Sequence, residues 1–213
     1  MNLPFFNLHS HFSDTQNVTI FQADDEVEEN QWHSIGIHPW SANEVIEETK
    51  YLGSLSNLNC IALGEIGLDK LKGPEICIQI EIFEKQIEWS EKFELPVIIH
   101  CVKAWNELKV LKRKLKPNQP WVFHGFSKIG ILDEVLDEGL FVSFGKRILI
   151  DEKLLTCATK IPNEKVFFET DDTKCDIEEI YRAFAKAKQI TLQDLKEIQF
   201  NNFKRVFKKW KSG

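Results

Sequence analysis

The sequence predicts an α/β fold, a compact or partly eroded TIM-like (β/α)8 barrel forming a single domain over residues 1–213. Three observations predict it. Short apolar runs alternate with longer stretches of helical period, eight such runs occur, and histidines or carboxylates follow most of them. Parallel strands joined by helices close into barrels, whose chemistry sits at the C-terminal ends of the strands. At 213 residues the chain lies near the ~200-residue lower bound for such a barrel, so its loops must be trimmed or some helices missing.

The strand candidates, in order, are Leu3–Leu8, Val18–Phe21, Trp32–Ile37, Cys60–Leu63, Pro96–Ile99, Trp121–Phe123, Leu140–Phe144 and Val166–Phe168. The second is the weakest. The stretch between His11 and Gly36 is too short for two full βα units, and Asp24–Asn30 reads as a polar loop. In Glu75–Phe93, the residues Ile76, Ile80, Phe83 and Ile87 recur at helical spacing and give one apolar face. Trp105, Leu108, Leu111 and Leu115 repeat that spacing before Pro117 stops the helix. A short helix carries Val135 and Leu136 and ends near Gly139. Ile177–Ala187 and Leu192–Trp210 are helical by period, with Thr191 as N-cap and Lys/Arg gathered at the far end. No repeat, linker or low-complexity tract divides the chain.

Composition bounds the function. With 43% hydrophobic and 28% charged residues the chain is an ordinary globular protein. A net charge of −6 leaves no basic face for tight nucleic-acid binding, although a phosphodiester substrate survives if bound cations supply local positive charge. The five cysteines are odd in number and form no CxxC pair, which predicts reduced thiols in a cytoplasmic protein. Met1-Asn2-Leu3-Pro4 opens no signal peptide, and no apolar run approaches the ~20 residues that span a membrane.

Five segments carry groups able to hold a metal: His9-Ser10-His11, Gly64-Glu65, His100, His124 and Glu169-Thr170-Asp171. Residues two apart on a strand share a face, so both imidazoles of His9 and His11 can approach one ion. Glu65 follows an apolar strand, where an ionised carboxylate is costly to bury without positive charge beside it. His100 and His124 close successive strands at equivalent positions, and Asp171 lies just past another strand end. Together they predict a metal-dependent hydrolase. Two divalent ions about 3.5–4 Å apart could share Glu65 and activate a water, with Asp171 as ligand and proton acceptor. Zn²⁺, Mn²⁺, Co²⁺, Ni²⁺ and Mg²⁺ all suit such ligands.

At these residues the chain resembles the TatD family of metal-dependent hydrolases, within the amidohydrolase-like barrel superfamily. The matching motifs are His9-Ser10-His11, Gly36-Ile37-His38-Pro39, Leu63-Gly64-Glu65-Ile66-Gly67-Leu68-Asp69 and Gln79…Phe83…Gln86. They continue through Pro96-Val97-Ile98-Ile99-His100, His124-Gly125-Phe126-Ser127, Glu169-Thr170-Asp171 and Asn202-Phe203…Arg205…Phe207. The resemblance implies a distorted barrel with a two-metal site: His9, His11, Glu65 and Asp171 around one ion, Glu65, His100 and His124 around the other. It also implies that His38 contacts the scissile phosphate, and that DNA or oligonucleotides are cleaved, in exonuclease fashion at DNA ends. The chain departs from the family pattern at Asn7 (commonly Asp), at Val102 (commonly Arg) and at Asp172-Thr173 (commonly Ser-Pro). The segment after Asp171 is also shortened to Lys174–Glu178, and Lys70-Leu71 stand where aromatic residues are common.

Lys146 and Arg147, past the seventh strand, are candidates for contact with a substrate anion, with Lys146 preferred. Asp69 reads as a loop anchor behind Glu65. Phe12, Trp40 and Phe126 adjoin the metal motifs and could stack on bases, whereas Trp105 and Trp121 read as core. The basic Lys204–Lys211 tail reads as a solvated helix end. The main rival keeps the binuclear hydrolase but gives it a small phosphoester, lactone or amide. A second rival, from another class, is a metal-binding protein without turnover.

Overall fold

A computed structural model describes residues 3–14, 16–23, 31–43 and 48–210. Eight parallel strands follow one another in sheet order: β1 (Phe6–Ser10), β2 (Val18–Ala23), β3 (His33–Ile35), β4 (Cys60–Asp69), β5 (Val97–Val102), β6 (Trp121–Phe123), β7 (Phe141–Phe144) and β8 (Val166–Phe168). All eight expected strands are present, including the weak second one. The ring closes where Asp171, beyond β8, meets β1. There the Asp171 amide donates to the His9 carbonyl (3.0 Å) and the His11 amide to the Asp171 carbonyl (3.1 Å). Closure therefore brings His9, His11 and Asp171 together.

Helices pack outside the later strands: α1 (Glu48–Leu55), α2 (Ile76–Phe93), α3 (Trp105–Leu115), α4 (Leu132–Asp137), α5 (Glu152–Ala158), α6 (Ile177–Lys188) and α7 (Leu192–Val206). Between β1 and β2 the described residues form no helix, as the short spacing requires. Asp24–Asn30 lies outside the described residues. Sequence patterning did not single out α1 or α5. The latter is only two turns long, capped by Asp151 accepting from the Leu154 amide (3.0 Å), with Leu154 and Ala158 as its buried face. The Thr191 cap forms as expected, in a reciprocal box with Asp194. The final helix stops at Val206 rather than Trp210, and Phe207 and Trp210 fold inward to join the core.

Two differences from sequence expectation position the site. First, β4 runs ten residues, through Glu65 to Asp69, so Glu65 lies within a strand rather than after it. The close approach of β5 explains the glycines there. A Cβ on Gly67, at φ +153°, would stand 1.9 Å from the His100 carbonyl oxygen, and one on Gly64 2.6 Å from Ile98 Cβ. Second, the inward face of α2 includes Gln79 and Gln86 beside Phe83 and Ile87, while Ile76 and Ile80 are only partly buried. Both glutamines clamp backbone. Gln86 accepts from the Ile37 amide (2.6 Å) and donates to the Ile37 carbonyl (3.1 Å). Gln79 accepts from the Asp69 amide (2.8 Å) and donates to the Asp69 carbonyl (2.9 Å). Each pair of bonds satisfies groups that would be costly to leave unpaired.

The barrel interior below the site is apolar, and its N-terminal mouth is plugged by α7 and the turn after it. Phe203 packs 4.7 Å from Phe6 and 5.5 Å from Phe167, ring centre to ring centre, while Phe207 and Trp210 complete the plug. Tyr181 ties α6 to β1, its hydroxyl donating to the Phe6 carbonyl (2.8 Å) and accepting from the Phe6 amide (3.1 Å).

Candidate metal centre

At the C-terminal mouth a cleft of about 470 Å³ is lined by His11, His38, Glu65, His100, His124 and Asp171, together with Trp40 and Asp172. Glu65 is its hub. Its Oε1 lies 2.7 Å from His124 Nε2 and 3.4 Å from His38 Nε2, and is bonded to His100 Nδ1. Its Oε2 faces the other way, 3.3 Å from His9 Nε2. Burial pushes the Glu65 carboxyl up, but the charge of His124 and hydrogen bonds from His100, His124 and His38 outweigh this and hold it well below the usual range.

His9 is fully buried, and neither ring nitrogen makes a hydrogen bond. Its Nε2 nevertheless points between two carboxylates, 3.3 Å from Glu65 and 3.6 Å from Asp171 Oδ1. His11 Nε2 stands 3.8 Å from the same Asp171 oxygen. A buried imidazole aimed at two carboxylates without bonding either fits a cation among them. Among the described residues three sets of donors converge within 4.8 Å: His9, His11 and Glu65; His9, His124 and Asp171; His38, Glu65 and His100. His124 thus faces both Glu65 and the His9–Asp171 side. Asp171 adopts φ 53°, a left-handed conformation held by its two backbone bonds to β1. Burial and the negative charge of Glu169 raise its carboxyl above the usual range, against opposition from His124 and His9.

Carboxylates stand behind two of these histidines. Glu169, fully buried, accepts from the Gly125 amide (2.5 Å) and lies 3.4 Å from His124 Nδ1. Burial pushes Glu169 up, and the nearby His124 more than reverses it. The same pairing runs the other way at His124, where Glu65 and Glu169 outweigh burial and raise the imidazole well above its ordinary value. Asp69 lies 3.3 Å from His100 Nε2 and accepts from the Trp40 indole (2.7 Å) and the Leu71 amide (2.7 Å). It therefore anchors its loop, as expected, and also orients His100. Imidazole–carboxylate pairs of this kind hold ligands in position. Asn7 exchanges two hydrogen bonds with Thr170, 2.8 and 3.0 Å, beside Asp171.

Sequence reasoning gave Glu169 no role, although the spacing Glu169-Thr170-Asp171, with two carboxylates around one buried residue, carried the signal. Lys146 is exposed on the helical turn Lys146–Leu149 and is absent from the lining of the cleft, but its charge is felt at Cys175. Phe126 is buried against Phe123 and Phe144 and offers no face to a substrate. Trp105 and Trp121 are core, as expected, while Phe12 and Trp40 remain exposed.

Comparison with known proteins bears on the fold and the family. The structure superposes on a TatD homologue from Escherichia coli K12, YjjV, with a TM-score of 0.84, covering 98% of this chain and 99% of that one at 18% identity. A TatD family hydrolase from Entamoeba histolytica superposes with a TM-score of 0.79, covering 97% and 99% at 18% identity. These likenesses establish the fold. The uncharacterized metal-dependent hydrolase YabD of Bacillus subtilis is 27% identical over 89% of this chain and 83% of its own length. Deoxyribonuclease Tat-D of Schizosaccharomyces pombe is 29% identical over 68% of this chain, which spans 52% of that protein. Residues 6–208 match the family described as TatD related DNase, and the chain belongs to it.

Proposed function

We propose that the protein is a divalent-metal-dependent phosphodiesterase acting on DNA or short oligonucleotides. The observation that carries this reading is Glu65, whose two oxygens face different sets of histidines: His9 on one side, His38, His100 and His124 on the other. Such a carboxylate is placed to be shared by two cations. His9, His11, Glu65 and Asp171 would hold one, and Glu65, His100 and His124 the other. Bound there, divalent cations supply the charge that polarises a phosphoryl oxygen and acidifies a water.

The chain's own groups supply the rest. Asp171, with its proton affinity raised by burial and by Glu169, is suited to accept a proton from the attacking water. His38 is held by the Trp40 amide donating to its Nδ1 (3.2 Å), which turns Nε2 into the cleft, 3.4 Å from Glu65 Oε1, where the ring would meet the scissile phosphate once cations draw on Glu65. Glu169 and Asp69 keep His124 and His100 in the required orientation.

One observation favours a second reading, hydrolysis of a small phosphoester, lactone or amide. Among the described residues no lysine or arginine lines the cleft, so a polyanion would meet positive charge there only from the cations. Metal-stripped protein resupplied with Mg²⁺, Mn²⁺ or Zn²⁺ and given end-labelled single- and double-stranded oligonucleotides separates the two. Metal-dependent products that vanish in Asp171→Asn support the nuclease. Intact oligonucleotides with every metal, alongside turnover of small esters, support the alternative.

A further inference from the structure

A second pocket, of about 310 Å³, opens on the far side of the strand closure from the metal cleft. The same two chain segments wall both. His11 lines the cleft and its neighbour Phe12 lines the pocket; Asp171 and Asp172 line the cleft, and Thr173 and Lys174 the pocket. Two residues of extended chain span roughly 7 Å, so the two sites are adjacent on the scale of one substrate unit.

The pocket presents an aromatic ring and a cation. Phe12 keeps 41% of its surface exposed, an expensive placement for so large an apolar side chain. Its backbone is fixed by Ser10, whose hydroxyl accepts from the Phe12 amide (3.1 Å) and donates to the Phe12 carbonyl (3.0 Å). Lys174 Nζ lies 5.7 Å from the ring centre. Among the described residues Lys174 forms no salt bridge, whereas Lys70, Lys85, Lys109 and Lys114 each hold a carboxylate. The pocket's own acids are occupied: Asp14 accepts from the Gln16 amide and the Asn17 side chain, and Asp176 caps α6 through the Glu178 amide.

We propose that this pocket is a subsite for the nucleotide flanking the scissile phosphate, its unpaired base stacked on Phe12 and its phosphate paired with Lys174. A flat π-face accepts any base and requires that base to be unpaired. The enzyme then selects single-stranded ends, and Phe12 is a specificity-determining residue. This inference rests on the nuclease reading above.

The test is steady-state cleavage of a single-stranded thymidine pentanucleotide by the Mn²⁺-loaded protein, comparing wild type with Phe12→Ala, Phe12→Tyr and Lys174→Gln. Phe12→Ala should raise KM roughly 5- to 100-fold, the cost of losing one stacked base, with kcat changing far less. Phe12→Tyr should restore KM. Lys174→Gln should raise KM and make binding less salt-sensitive by about 0.7 in the log–log slope, as loss of one phosphate contact on a single strand requires. If Phe12→Ala keeps the wild-type KM, or loses kcat without rescue by Phe12→Tyr, the subsite is overturned and the nuclease reading stands. If wild-type protein leaves the pentanucleotide intact with Mn²⁺, Mg²⁺ and Zn²⁺ alike, the nuclease reading falls and the subsite with it.

Discussion

At the N-terminal mouth of the barrel Phe6, Phe167, Phe203 and Phe207 interlock as buried rings, whereas at the C-terminal mouth His9, Glu65, His124 and Glu169 are buried as deeply and are polar. The first set gains free energy by leaving water. The second is costly to bury by itself and is held charged by its own partners, which outweigh burial at Glu65, His124 and Glu169. His9 shows the difference most clearly, with both nitrogens lacking a hydrogen bond and two carboxylates within 3.6 Å. One mouth holds the fold together and the other is carried by it, which is the arrangement expected of a ligand site on a stable scaffold.

Substitutions at the two mouths should therefore separate activity from stability. Glu65→Gln should lower hydrolysis by roughly 10³-fold or more, as loss of a group acting in concert with others does. The metal-free thermal midpoint should move much less, because the amide retains hydrogen-bonding capacity toward His100 and His124. A matching collapse in stability would blur the contrast. Phe203→Ala should do the reverse. It should cost about 3–5 kcal/mol in denaturant unfolding, while the rate per folded molecule stays near wild type.

Glu169→Gln sharpens the comparison from within the polar mouth. It keeps the volume but removes the charge facing His124, so metal affinity should fall about 10- to 100-fold, measured by competition with a chelating dye. Unchanged affinity would mean that Glu169 only fills space. The smallest effect concerns thiols in the strands that carry the site. Burial pushes Cys60 and Cys101 up to about 11, so almost no thiolate exists at pH 8 in the native protein. A thiol reagent should modify exposed Cys77 quickly and those two only after unfolding, as mass spectrometry of the labelled peptides would show.

The contrast between the mouths also explains what could be read from sequence. The first half of β5, Val97–Ile99, and the whole of β6 and β8 are unbroken apolar runs, and their patterning names them directly. The candidate metal-holding residues stand out because histidine and carboxylate are conspicuous beside such runs. The extent of β4 is hidden, because Gly64, Glu65, Gly67 and Asp69 look like a loop until the close approach of β5 is known. Gln79 and Gln86 are hidden for a related reason: amides on the inward face of a helix break its apolar period, and only the backbone they clamp gives them meaning. Phe126 is legible as an aromatic near His124 but not as a buried one, since both readings share one local sequence. The role of Glu169 depends on Gly125 and His124, which are far away in the chain.

Calorimetric titration of metal-free protein with Mn²⁺ tests the central claim most directly, namely that the buried histidines and carboxylates of the C-terminal mouth form a two-cation cage. The account predicts saturable uptake of two ions per chain, a rise in thermal midpoint with free metal, and loss of both in Glu65→Gln. Absence of saturable uptake, or uptake unchanged in Glu65→Gln, would contradict it.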